Sequence, residues 1–99
     1  MDNASVRFEG ACAYLKGDIT FRTVMPIRHQ VERAIAAADG HFQIDFRAVA
    51  QVDTAALSFW LCCQRLASSR AVQLEAVHAP EALKSIARLV GLDESALLA

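Results

Sequence analysis

The sequence predicts a small α/β domain: one mixed four-stranded sheet with helices packed against it, in the order β-β-α-β-α-β-α. Three observations predict this. Two short strand-like stretches meet across Gly10, which signals a hairpin. Three later stretches carry apolar residues at helical spacing. Strand-like segments separate those stretches, so the connections are crossovers and the later strands run parallel. The length of 99 residues suits one domain spanning 1–99.

The elements follow in order. Ser5 to Glu9 reads as the first strand, and Cys12 to Lys16 as the second. Gly17-Asp18 reads as its end. From Thr23 to Ala38, Val24, Ile27, Val31, Ala34, Ile35 and Ala38 recur at helical spacing. Thr23 is placed to cap this helix, Pro26 is tolerated in its first turn, and Gly40 stops it. Phe42 to Phe46 is the third strand, followed by a loop to Val52. Asp53 to Ser69 is the second helix. Val72 to Val77 alternates partly and reads as the fourth strand. Pro80 fits the first position of a third helix running to Val90, where Gly91 ends it. Asp93 is placed to cap a last short helix through Leu97.

Composition limits the function classes. The formal net charge is −1, which argues against broad electrostatic binding to nucleic acid or an anionic membrane. The longest apolar tract, Ala55 to Cys63, is too short to span a bilayer, so no direct membrane insertion is expected. The first ten residues carry Asp2, Arg7 and Glu9 and do not read as a leader. The three cysteines fit a reducing compartment and read as small core residues, and a cytoplasmic location is expected.

Little in the chain reads as catalysis. His29, His41 and His78 fall on separate elements without metal-ligand spacing. The four glycines are isolated, so no phosphate-cradling loop is formed. Asp18, Asp45 and Asp53 could meet at one sheet edge, but Asp45 and Asp53 read better as capping groups. The expectation is a non-enzyme with no cofactor and no metal.

The most informative stretch is the junction into the second helix. Asp53 is a good N-cap, since its carboxylate can accept the free N–H groups of the first turn. Thr54 then presents a hydroxyl at the helix start. With Asp53 at zero and about 100° per residue, Ala55, Ala56, Phe59, Trp60, Cys62, Cys63, Leu66 and Ala67 form one broad core arc. The opposite arc holds Thr54, Ser58, Gln64, Arg65, Ser68 and Ser69. Leu57 and Leu61 also land there. Thr54, Leu57, Ser58, Leu61 and Arg65 therefore read as one solvent-facing stripe that binds a partner. Each leucine covered by that partner would contribute roughly 1.5–3 kcal/mol.

The junction Asp53-Thr54-Ala55-Ala56-Leu57 resembles the signature of STAS domains, whose pattern here is roughly Asp-Ser/Thr-Ser/Gly-Gly-Leu. The resemblance runs from about Gly10 onward. It takes in Gly17-Asp18-Ile19, Thr23-Val24-Met25-Pro26-Ile27, the fourth strand, and Ile86 to Leu92. The Met-Pro-Ile element and the tail Leu92 to Leu98 are most similar to the small cytoplasmic STAS subunit of Mla-type ABC transporters of Gram-negative bacteria. Those transporters move phospholipid between membranes and so maintain outer-membrane lipid asymmetry. The resemblance implies an accessory subunit, peripheral at the inner membrane, that docks on the transporter's ATPase subunit and through it joins the permease and substrate-binding subunits. It also implies that Thr54 lies at the docking surface. The other branch that the resemblance offers is an anti-sigma-factor antagonist switched by Ser/Thr phosphorylation. In that branch the phosphorylated residue matches Ala55, which has no hydroxyl, and Thr54 is left as the possible acceptor.

Overall fold

A computed structural model of the chain describes residues 3–92. It contains β1 (Ala4–Glu9), β2 (Cys12–Ile19), α1 (Val24–Ala36), β3 (His41–Val52), α2 (Thr54–Ser69), β4 (Gln73–Val77) and α3 (Glu81–Leu89). The element order matches the sequence reading. The short helix expected from Asp93 lies outside the described residues.

The four strands lie in the order β1-β2-β3-β4. β1 and β2 are an antiparallel hairpin turned at Gly10. β2, β3 and β4 are mutually parallel, joined through α1 and α2. Alternation sends Ala13 and Leu15 of β2, Phe42, Ile44 and Phe46 of β3, and Ala76 of β4 into one buried cluster. The helices add Ile27, Val31 and Ile35, then Ala56, Phe59, Trp60, Cys63 and Ala67, and finally Leu83 and Ala87. The helices thus cover one sheet face, and the other face is left to polar side chains. α2 is the central helix, packed against both α1 and α3.

Two strands are longer than the sequence pattern suggests. β3 continues through Arg47–Val52, which reads as a loop because its apolar residues lose their alternation. The cause is a pair of bulges. Tyr14 pairs with Asp45 but Lys16 with Ala48, and Gly17 pairs with Val49 but Ile19 with Val52. Each shift inserts one extra residue into β3. The residues packed toward the core are therefore Phe42, Ile44, Phe46, Val49 and Val52, with the spacing stretched from two to three at each bulge.

β2 likewise runs through Gly17, expected as its end. Gly17 has φ +93°, and a Cβ there would lie 2.0 Å from the Asn3 carbonyl oxygen. That same carbonyl accepts the Asp18 N–H at 3.0 Å. The glycine lets the chain's N-terminal segment close onto the strand instead of ending it. Pro80 is the N-cap residue of α3 rather than its first helical residue.

Candidate functional site

The junction between β3 and α2 is built around Asp53. Its backbone is extended, as an N-cap requires, and its Oδ1 accepts the Ala55 N–H at 2.8 Å. The second carboxylate oxygen has a role that periodicity does not reveal. Oδ2 accepts the Phe21 N–H at 3.1 Å, from the loop that precedes α1. One side chain thus ties the starts of both helices together. The loop itself is held by Thr23, whose hydroxyl donates to the Asp18 carbonyl at 2.6 Å and accepts the Thr20 N–H at 3.0 Å. Thr23 therefore braces the loop and does not cap α1 through its side chain.

This bracing leaves apolar side chains in water. Phe21 is 71% exposed, Met25 48% and Leu61 37%. The first two precede or open α1, and Leu61 lies on the outer crest of α2. Successive parallel β-α units on one sheet face place α1 and α2 side by side and parallel, so their N-terminal ends are neighbours. The register is visible further along, where Arg28 and Glu32 of α1 share a groove with Cys62, Arg65, Leu66 and Ser69 of α2. One turn back from that groove stand Met25 on α1 and Ser58 and Leu61 on α2. Phe21 precedes α1, with its backbone N–H bonded to Asp53.

Of the predicted stripe, Thr54, Ser58, Leu61 and Arg65 are exposed and share the outer face of α2. Leu57 does not belong to it. It is 6% exposed and part of the core cluster. A helix flanked on both sides buries a wider arc than one resting on a sheet alone. The α1 groove takes one flank of α2. Leu57 stands on the opposite flank, the one available to α3. Phe21 and Met25 were missed because one is an aromatic in a polar loop and the other is a lone residue off the buried face of α1. Neither forms a periodic pattern.

The remaining candidate groups are occupied by structure. Asp45 Oδ1 accepts the Arg47 N–H at 2.8 Å, a local bond within β3. His29, His41 and His78 are exposed. Among the described residues, no three His, Cys, Asp or Glu side chains group as a metal site. Burial pushes the Cys63 thiol up to about 12. Burial also raises Cys12, with its hydrogen bond to Tyr14 acting in the other direction. Thiols held protonated in this way are poor nucleophiles. Among the described residues, no helix is long and apolar enough to cross a membrane.

Residues 4–99 match the family model described as "Mlab, STAS domain". This chain belongs to the STAS domain family. No curated protein matches it. Its structure is similar to that of the anti-sigma factor antagonist SpoIIAA in its unphosphorylated form, with a TM-score of 0.69 at 15% identity, covering 91% of this chain and 82% of that one. The phosphorylated form of the Bacillus cell fate determinant SpoIIAA gives 0.68 at 15% identity, covering 91% and 85%. An anti-sigma factor antagonist from Mycobacterium paratuberculosis gives 0.71 at 16% identity, covering 96% and 82%. At these identities the likeness establishes the STAS fold, a four-stranded mixed sheet carrying helices.

Proposed function

We propose that this STAS domain is a non-catalytic accessory subunit of an ABC phospholipid transport system that maintains outer-membrane lipid asymmetry. It works at the cytoplasmic face of the inner membrane. It docks on the transporter's ATPase through the N-terminal ends of α1 and α2 and supports the assembly and activity of that ATPase, without touching nucleic acid or entering the bilayer. The observation that carries this reading is that Phe21 and Met25 at the start of α1 and Leu61 on the outer face of α2 are exposed apolar side chains, with Thr54 and Ser58 exposed on the same helix as Leu61. Exposed large apolar side chains that share one surface mark an interaction site. Arg65 is exposed one turn beyond Leu61 on α2, which suits a partner with an acidic group beside an apolar centre. A partner that binds only the folded, assembled ATPase favours that assembly by mass action.

The test is co-purification of the ATPase with single variants. Leu61→Glu and Met25→Glu are expected to abolish it while leaving thermal unfolding of the isolated domain nearly unchanged. Normal capture by both variants would remove the docking surface from consideration.

A second reading is favoured by the likeness to anti-sigma factor antagonists. Here Thr54 is a phosphorylation site controlling a partner switch. Thr54 is exposed at a helix start, and a phosphate there would set about two negative charges beside Asp53. Mass spectrometry after incubation with the cognate kinase distinguishes the two. Phosphate on Thr54 or Ser58 favours the switch.

A further inference from the structure

The sheet face that carries no helix has an ordered charge pattern. Register places its side chains in cross-strand rows. One row, near the start of the parallel strands, is Glu9, Cys12, Gln43 and Glu75. The next is Arg7, Tyr14 and Asp45. After it come Ser5, Lys16 and Ala48, with Arg47 beside them in the bulge. Glu9 and Glu75 thus stand at one end of the face, and Arg7, Asp45, Lys16 and Arg47 lie together further along it.

That part of the face is also hollow. A concavity of about 470 Å³ is lined by Ser5, Arg7, Tyr14, Lys16, Asp45 and Arg47, with backbone contributions from neighbouring positions. It lies at the first β3 bulge, where Phe46 and Arg47 together oppose Leu15. A bulge bends its strand, increases local twist and re-aims a side chain. The Arg47 N–H donates to Asp45 Oδ1 at 2.8 Å, which ties up one oxygen of the concavity's sole carboxylate. The Arg7 guanidinium lies 4.4 Å over the Tyr14 ring and donates to Glu9 at 2.8 Å. Arg47 donates to His78 Nε2 at 2.6 Å, so its fork is oriented from outside the sheet. Lys16 has no hydrogen-bond or ion-pair partner among the described residues and is exposed.

We propose that this concavity is a binding site for a small phosphate-bearing anion, held by Arg7, Lys16 and Arg47. The lining carries three cations and one carboxylate, and Arg7 is already paired with Glu9, so about one positive charge is left uncompensated, within a chain whose net charge is −1. A phosphate offers these donors more acceptor oxygens than a single carboxylate does. Guanidinium forks and a lysine ammonium are the donors that phosphate oxygens take. The volume falls in the range of about 300–1,000 Å³ usual for small-molecule sites. Three cations form too short a track for a polynucleotide. The phosphate can belong to a soluble metabolite or to a lipid headgroup. The site lies on the face opposite α1 and α2, so it stands or falls independently of the docking surface.

The experiment uses the ¹⁵N-labelled full chain. Inorganic phosphate is titrated at constant ionic strength, and vesicles of phosphatidylcholine with and without phosphatidylglycerol are co-sedimented in parallel. The expected result is saturable shifts of the amides from Tyr14 to Gly17 and at Arg47 and Ala48. The double variant Lys16→Gln/Arg47→Gln should weaken binding by at least about tenfold, the loss of two charge-assisted contacts. Both side chains are exposed, and an unchanged melting temperature verifies that the variant is folded. Shifts with free phosphate assign a soluble ligand. Co-sedimentation that needs phosphatidylglycerol and is lost in the variant assigns a headgroup. The proposal is overturned if neither probe binds, or if binding persists unchanged in the double variant.

Discussion

Removing the Asp53 carboxylate should loosen two elements at once. In Asp53→Ala, the Ala55 N–H at 2.8 Å and the Phe21 N–H at 3.1 Å both lose their acceptor. An N-cap exchanged for alanine costs about 1 kcal/mol. The second bond is more exposed and should add about 0.5 kcal/mol, the low end for a hydrogen bond. The sum is about 1.5 kcal/mol. At ~4–8 °C per kcal/mol for a domain of this size, the melting temperature should fall by about 6–12 °C. The assay is thermal unfolding followed through Trp60, the only tryptophan, which is buried edge-on against Phe46. Asp53→Asn keeps a side-chain oxygen for the cap and should lose less than half as much. The same variants should weaken ATPase capture, because the loop carrying Phe21 loses its anchor. If Asp53→Ala melts within about 2 °C of wild type, the carboxylate does not couple the two helix starts and the reasoning fails.

Other expectations separate core from surface. Leu57→Ala should cost about 2–5 kcal/mol as a core truncation, whereas Leu61→Ala should cost about 1 kcal/mol or less; urea unfolding of the pair measures the contrast. Gly17→Ala should destabilise by about 1–3 kcal/mol through its positive φ and the collision with the Asn3 carbonyl, with faster hydrogen exchange at the Asp18 amide. The raised Cys63 thiol links stability to pH. The folded protein keeps the proton after the unfolded chain has released it, so stability is intact below about 9 and falls as pH rises toward about 12. The slope from this one group is at most about 1.4 kcal/mol per pH unit, and it is read as the difference between wild type and Cys63→Ala, whose profile should be flatter. Cys63 should also resist thiol reagents at pH 8 until the protein unfolds.

Much of this architecture was legible from local pattern. Apolar spacing marks most of the helix residues that meet the sheet, because helical geometry repeats every turn, with Leu57 of α2 the exception. The cap at Asp53 was legible for the same reason, since its first bond reaches only two residues along the chain. Strand ends were less legible. In β3 the two bulges shift the parity of alternation, so Arg47–Val52 has the pattern of a loop while forming a ladder with β2. Bulges come from pairing between strands, and a single strand's sequence does not carry that pairing.

The surface followed the same division. By itself the sequence determined the order of elements, the capped start of α2, and an outer face holding Thr54, Ser58, Leu61 and Arg65. The tertiary structure alone decided that Leu57 is internal, that Phe21 and Met25 are exposed, and that Arg7, Lys16 and Arg47 share one hollow. Periodicity describes a helix or strand as if isolated, whereas burial is set by how many neighbours flank it. Residues from separate elements come together only through the register and packing of the whole sheet.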